Sequence, residues 1–315
     1  MRVLVVGAGA IGGYFGGRLL QAGRKVTFLV RPRRAAELAS AGLMIKSPNG
    51  DVTIRGPATI LSENVRQSFD LVLLSCKAYD LTGAIASVAP AVGPETMILP
   101  LLNGMRHLDI LDERFGRSHV LGGLCVIAAT LNMERAIVHL NNTHKLSFGE
   151  RDGRLSDRIR AVAGIMADAG FDARPSEHIV QDMWEKWVFL ATLAGVTCLM
   201  RAPVGDILTS PGGNDLILNL LEECRAVAAA EGFAPRAAFL EQTRATLTTT
   251  GSPLTASMLR DVEANAQIEA DHVVGDLLRR RDREDAGRGD MSLLRVAYNH
   301  LKAYEARRAR MLALV

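Results

Sequence analysis

Arg2-Val3-Leu4-Val5-Val6-Gly7-Ala8-Gly9-Ala10-Ile11-Gly12-Gly13 opens the chain and decides its fold class. Val3–Val6 is a β-branched run of the kind that forms a strand, and a helical stretch follows the glycines to about Ala22. Gly7, Gly9 and Gly12 therefore stand as G-x-G-x-x-G between a strand and a helix, with Ala8, Ala10 and Ile11 sharing the loop. The first glycine permits a tight turn, the second lets a pyrophosphate approach the backbone, and the third lets helix and strand pack closely. Phosphates bound there meet amides at a helix N-terminus, where the dipole favours negative charge. A glycine-rich turn without a ligand is the plain alternative, and the strand–turn–helix context argues against it.

Outward from this motif, strand-like and helix-like runs alternate. Lys25–Val30, Asp70–Ser75, Met97–Leu101 and Val120–Ala129 read as largely apolar strands, suited to a parallel sheet covered on both faces. Leu43–Lys46 and Asp51–Arg55 flank Ser47-Pro48-Asn49-Gly50, an Asn-Gly hairpin signal. Ile137–Leu140 and Lys145–Phe148 read as closing antiparallel strands, a helix is predicted near Leu155–Asp168, and an extended piece around Phe171–Arg174 follows. Beyond His178 the strand signals stop. Helices are predicted over Val180–Met200, Asn214–Glu231, Arg236–Thr249, Pro253–Asp282 and Ser292–Leu312, with Ser252 as N-cap and Pro253 as first helical residue of the fourth. The expectation is an α/β N-terminal Rossmann domain over residues 1–177 and an all-α C-terminal domain over 178–315, with a substrate site in the cleft between them.

Composition excludes several classes. Hydrophobic residues make up 48% and charged residues 23%, as in a folded globular chain rather than a disordered one. A formal net charge of +3 advertises neither nucleic acid nor an anionic membrane as partner. Trp187–Met200 is uncharged but falls short of the roughly 20 residues a membrane helix needs, so a cytoplasmic location is expected. Cys76, Cys125, Cys198 and Cys224 form no C-x-x-C pair and read as free thiols, and no histidine spacing suggests a metal site. The oligomeric state stays open, a homodimer included.

The end of the second strand bears on which dinucleotide binds. NAD enzymes place Asp or Glu there for the ribose hydroxyls. Here Arg31 occupies the position, followed by Pro32, Arg33 and Arg34, with no carboxylate near in sequence. Arginine suits a 2′-phosphate through charge-assisted, often paired hydrogen bonds, so NADP(H) is expected. A solvated basic turn is the bland alternative.

Further motifs line up in order: Ser75-Cys76-Lys77-Ala78-Tyr79, Leu102-Asn103-Gly104-Met105, Trp184-Glu185-Lys186, Ser257-Met258-Leu259-Arg260-Asp261 and Glu269-Ala270-Asp271. Over essentially the whole chain this resembles the ketopantoate reductase (2-dehydropantoate 2-reductase) family. The resemblance implies NADPH-dependent reduction of a 2-oxo acid to a 2-hydroxy acid, in pantothenate biosynthesis for the family's ordinary reaction. It implies Lys186 as the catalytic proton donor and Glu269 as the acidic residue that hydrogen-bonds within the site, also next to the cofactor. Ser257 would contact the substrate carboxylate, Asn103 would stand at the junction of nicotinamide and substrate, and Lys77 and Arg31 would contact the cofactor. Read without it, Lys186 is a surface cation paired with Glu185 or Asp182, Glu269 and Ser257 are ordinary helix residues, and Asn103 belongs to an Asn-Gly turn.

The chain departs from the family pattern where asparagines stand four and eight residues after the lysine, for it has Leu190 and Ala194. Four-residue spacing keeps both on one helix face with Lys186, and Thr197 is expected to keep a hydroxyl there. The substrate pocket is thus expected to be less polar. A paralogue acting on a more apolar 2-oxo acid stays open, and so, further off, do an opine- or glycerol-phosphate-type dehydrogenase and a non-catalytic dinucleotide sensor. The W-E-K and S-M-L-R-D motifs argue against the dehydrogenase types, and retention of both Lys186 and Glu269 argues against a sensor.

Overall fold

The structure, a computed structural model, describes residues 1–284 and 291–313. The chain divides into two compact units, one of Met1–Leu102 and His107–Val180 and a second of Asn103–Arg106 and Gln181–Val315.

The first unit contains, in order, β1 (Arg2–Val6), α1 (Ala10–Gln21), β2 (Lys25–Leu29), α2 (Pro32–Ala41), β3 (Leu43–Lys46), β4 (Val52–Ile54), β5 (Thr59–Ile60), β6 (Leu71–Leu74), α3 (Leu81–Val88), β7 (Met97–Pro100), α4 (Arg106–Phe115), β8 (Gly122–Leu131), β9 (Ile137–Gly149), α5 (Asp157–Met166) and β10 (Asp172–Pro175). One sheet has the order β5-β2-β1-β6-β7, with all neighbours parallel. At its centre β1 past Arg2 and the whole of β6 carry no polar residue because both faces are covered: Val3, Leu4, Val5 and Leu71–Leu74 are fully buried. The second sheet runs β10-β9-β3-β4, with β8 antiparallel to β9. Helix α1 packs against both sheets, since a Cβ on Gly16 would lie 2.7 Å from Phe28 of the first and one on Gly17 would lie 2.7 Å from Ile45 of the second. The glycines thus set a close helix–sheet distance that larger side chains would forbid.

Three strand expectations change. The stretch over Val120–Ala129 is not part of the parallel sheet, to which it is joined as a strand, among the described residues, by an isolated bridge between Val120 and Ile98 alone. Its side chains past Cys125 emerge half-exposed, as suits β8 in a sheet that is wet on one face. Ile137–Leu140 and Lys145–Phe148 belong to one strand, β9, whose polar middle sits on the less covered part. β9 is antiparallel to β8 but parallel to β3 and β10. The Leu43–Lys46 hairpin forms as expected, with Leu43 opposite Ile54.

The second unit is helical: α6 (Ile179–Met200), α7 (Val204–Thr209), α8 (Gly213–Ala230), α9 (Ala237–Leu247), α10 (Ser257–Glu263), α11 (Asp276–Glu284) and α12 (Leu293–Leu312). The single helix expected over Pro253–Asp282 is instead broken. Ser252–Leu254 is committed elsewhere, because its carbonyls accept the amides of Val204 (3.0 Å) and Gly205 (2.8 Å) at the start of α7. The helix therefore starts at Ser257, and Ser252 accepts from the Leu254 amide rather than capping it. After α10 the chain leaves the helical path, where the Tyr304 hydroxyl takes the Ala266 carbonyl (2.7 Å) and Arg308 takes that of Asn265 (2.9 Å). It re-enters as a π-helical turn over Asp271–Gly275. Ser292 caps α12, its hydroxyl accepting from the Arg295 amide.

Candidate functional site

In the first unit the loop between β1 and α1 is shaped by its glycines. Gly7 holds φ +91°, a left-handed conformation that costs side-chain-bearing residues energy, and its amide donates to Leu29 O on β2 at 3.0 Å. Gly9 is the N-cap of α1 and offers no side chain to the free helix amides. A Cβ on Gly9 would meet nothing within 4 Å, whereas one on Gly12 would fall 2.1 Å from Ser75 Oγ and 2.3 Å from Gly7 O. The uncapped amides and the open approach over Gly9 fit a dinucleotide pyrophosphate, and the closed side at Gly12 is the packing that aims the helix. Ala8 is buried, and its carbonyl accepts from Arg34 Nε at 3.1 Å, which ties the first turn of α2 to the loop. Ala10 and Ile11 begin the helix itself, half-buried.

Arg31 is the residue before α2, with Pro32 as the first helical residue. The stretch following Arg31 is thus a helix start and not a loose basic turn. The absence of a nearby carboxylate holds only along the sequence. Arg31 Nη2 bonds Asp80 Oδ1 at 2.6 Å, while the arginine side chain remains 79% exposed. Arg33 and Arg34 bond Glu37 one turn on. Lys77 follows the end of β6, half-buried, and its carbonyl accepts the Asp80 amide at 2.9 Å.

The second unit brings Lys186 and Asn103 together across 83 positions of sequence: Lys186 Nζ donates to Asn103 Oδ1 at 3.0 Å. The bland pairing of Lys186 with Glu185 or Asp182 is not what forms, because Arg236 occupies both carboxylates. Glu185 is 4% exposed and accepts from the Arg236 main-chain amide and Nε, each at 2.8 Å. Burial pushes its carboxyl up, but the Arg236 bonds outweigh burial and hold it below the usual range. The other half of the W-E-K motif is structural too. Trp184 stacks on Phe233 with centroids 5.6 Å apart, and Arg280 lies over both Trp184 and Trp187.

Leu190 is half-buried one turn after Lys186, and Ala194 is fully buried one turn further. For Thr197 the expectation of a hydroxyl offered to a substrate is corrected. It is fully buried, its Oγ1 donates to Leu193 O (2.6 Å), and it accepts the Ala256 amide (3.4 Å), which joins α6 to the start of α10. Ser257 is the first residue of α10 and half-buried. Glu269 is 8% exposed, and its carbonyl accepts the amides of His272 and Val273 at the entry to the π-helical turn. That turn carries His272, buried, whose imidazole burial holds below its ordinary range against the pull of Glu269 and Asp276. No sequence signal marked Asp80 or Arg236, since each acts through a partner distant in the chain, or His272, whose burial is decided by tertiary packing.

Burial pushes the Cys198 and Cys224 thiols up to about 12, which leaves them unreactive at neutral pH. Among the described residues no group of three His, Cys, Asp or Glu side chains could hold a metal ion, and no helix is long and apolar enough to cross a membrane.

Comparison with known proteins bears on the family and the fold. The family model described as ketopantoate reductase PanE/ApbA matches residues 3–153, and its C-terminal counterpart matches residues 178–305. Among curated proteins the chain is 37% identical to uncharacterized oxidoreductase YkpB of Bacillus subtilis over 97% of this chain and 99% of that one. It is 26% identical to 2-dehydropantoate 2-reductase of Halobacterium salinarum, over 91% and 94%. Among solved structures, 2-dehydropantoate 2-reductase from Methylococcus capsulatus superposes with a TM-score of 0.84 at 27% identity, covering 98% of each chain.

Proposed function

The chain belongs to the ketopantoate reductase family, and on that premise we propose that it reduces a 2-oxo acid with NADPH, the substrate being ketopantoate or a relative with a more apolar tail. The observation that carries the reading is the Lys186–Asn103 hydrogen bond, because it leaves the ammonium pointed by an amide rather than neutralised by a carboxylate. A bound nicotinamide dinucleotide supplies the hydride that adds to the carbonyl carbon. The carbonyl electron pair then moves onto oxygen, where the Lys186 ammonium stabilises the growing charge and gives up the proton. Asn103 engages Nζ through one N–H, so the remaining donors stay available for the substrate oxygen.

The remaining roles follow the family motif. The Ser257 hydroxyl binds the substrate carboxylate, and Glu269 orients groups within the site. Leu190 borders the substrate's tail, whereas Ala194 is fully buried and offers it no surface; with no amide at Leu190 a hydroxyl on that tail enters the pocket unpaired, at a cost of about 1–3 kcal/mol. The backbone of Gly7, Ala8, Gly9, Ala10, Ile11 and Gly12 would hold the pyrophosphate of a bound dinucleotide, and Lys77, Asn103 and Glu269 would contact the cofactor as the family motif implies. Arg31, exposed and without a carboxylate beside it on its own strand end, supports preference for a 2′-phosphate.

The test is oxidation of NADPH over a panel of 2-oxo acids that includes ketopantoate and 2-oxoisovalerate, with Lys186→Ala in parallel. Turnover of at least one member is expected, and Lys186→Ala should lower kcat by about 10²–10⁴ with NADPH binding retained. Normal turnover by Lys186→Ala on the best substrate would overturn the assignment.

A further inference from the structure

The π-helical turn over Asp271–Gly275 touches both halves of the Lys186–Asn103 pair without belonging to either. On one side its Val273 carbonyl accepts from the indole Nε1 of Trp187 at 2.8 Å, and Trp187 is the neighbour of Lys186. On the other side its His272 carbonyl lies 2.8 Å from where a Gly104 Cβ would be, and Gly104 is the neighbour of Asn103. Gly104 holds φ +77°, so the segment carrying Asn103 is bent onto the turn by a residue that only glycine replaces without strain. A π turn frees carbonyls that an α-helix would use internally, and such turns are frequent at functional sites. Here the Val273 carbonyl serves Trp187.

The turn is itself tied down from α12. The Tyr298 hydroxyl donates to Asp271 Oδ1 at 2.6 Å, and Lys302 Nζ donates to Asp271 Oδ2 at 3.0 Å. The Tyr298 ring also lies 2.7 Å from where a Gly275 Cβ would be, so it closes the far end of the turn. Arg279 adds a bond to the Asp271 carbonyl at 3.1 Å.

We propose that the Asp271–Gly275 turn, pinned through Asp271 by Tyr298 and Lys302, is the positioning element that sets the Lys186–Asn103 pair. Asp271 and Tyr298 are thus positioning residues, acting on the reaction through Trp187 and Gly104. The inference rests on the reading of Lys186 as proton donor. A small displacement of a reacting group costs up to about a hundredfold in rate, which sets the scale of the expected effect.

Tyr298→Phe keeps the ring against Gly275 and removes only the hydroxyl. It should lower kcat about tenfold, leave NADPH Kd within about twofold, and raise amide hydrogen exchange at Asn103–Met105 as well as at Asp271–Gly275. Asp271→Ala should do the same, and Asp271→Asn, which still accepts from Tyr298, should recover most of the rate. In a Lys186→Ala background, Tyr298→Phe should have no further effect on the residual turnover. Unchanged kcat and unchanged exchange at Asn103–Met105 in Tyr298→Phe overturn the proposal, as does a full tenfold loss that persists without Lys186. If Lys186→Ala itself turns over normally, the reading of the lysine fails instead. The exchange measurement then still decides whether the turn controls the Asn103 segment. Should Asp271→Ala not fold, Tyr298→Phe and Asp271→Asn suffice.

Discussion

Replacing Arg236 with Met leaves a buried carboxylate beside the candidate catalytic lysine without its cation. Glu185 is 4% exposed and keeps only the Arg236 main-chain amide and Gln181 Nε2 when the guanidinium goes. Two side-chain bonds from Arg236 are lost. Charge-assisted bonds contribute about 1.5–3 kcal/mol each, and removing one partner of a fully buried pair costs about 3–5 kcal/mol. The Arg236 side chain is 51% exposed, so water screens its share and the expected loss is about 2–3 kcal/mol. At about 2–4 °C per kcal/mol this is a fall in Tm of about 4–12 °C at neutral pH. The pH dependence has a definite sign. In the unaltered protein the Glu185 carboxyl is held below its ordinary value of 4.5, so its stabilisation is present above that value and fades as pH falls through the lower, folded one. In Arg236→Met burial is opposed only by the main-chain amide of residue 236 and Gln181, so the carboxyl rises and binds a proton more readily in the folded state. The stability gap between the two proteins should therefore be widest at pH 7 and narrow towards pH 4. Thermal unfolding across that range reads it, and the double variant Glu185→Gln/Arg236→Met should recover part of the loss. A gap below about 1 °C at pH 7, or one independent of pH, refutes the reasoning.

NADPH is expected to bind about tenfold or more tightly than NADH in a fluorescence titration, and Arg31→Ala should abolish that preference; equal affinities in the unaltered protein would refute the 2′-phosphate reading. Asp80→Asn frees Arg31 from its exposed carboxylate partner and should tighten NADPH by up to about fivefold with NADH unmoved. Gly12→Ala places a Cβ 2.3 Å from the Gly7 carbonyl and should eliminate measurable dinucleotide binding while the helical unit keeps its far-UV signal; retained binding would contradict the packing described. Leu190→Asn should raise kcat/KM for ketopantoate relative to 2-oxoisovalerate, whereas Ala194→Asn, at a fully buried position, should lower Tm, reflecting a cost of about 1–3 kcal/mol.

Local chemistry settled much of this protein before any coordinates. Val3–Val6 followed by Gly7, Gly9 and Gly12 can only serve as a strand, a tight turn and a close-packed helix, so the Rossmann start was legible from adjacent residues. The parallel core strands were legible because burial on both faces writes an unbroken apolar run, and the helical second half because its strand signals stop. Pairings between distant segments were not legible. Val120–Ala129 is apolar enough for the parallel sheet, and its antiparallel partnership with β9 depends on a strand that the polar stretch around Asn141 disguised as two. Pro253–Asp282 has helix-forming residues throughout, but its backbone groups are claimed by α7 and α12, and tertiary hydrogen bonds override propensity there. The site divides in the same way. The motif marked Lys186, but its partner was decided by which carboxylates Arg236 takes and by the turn that bends Asn103 towards it. Such bonds join residues tens of positions apart, and no periodicity or spacing along the chain encodes them.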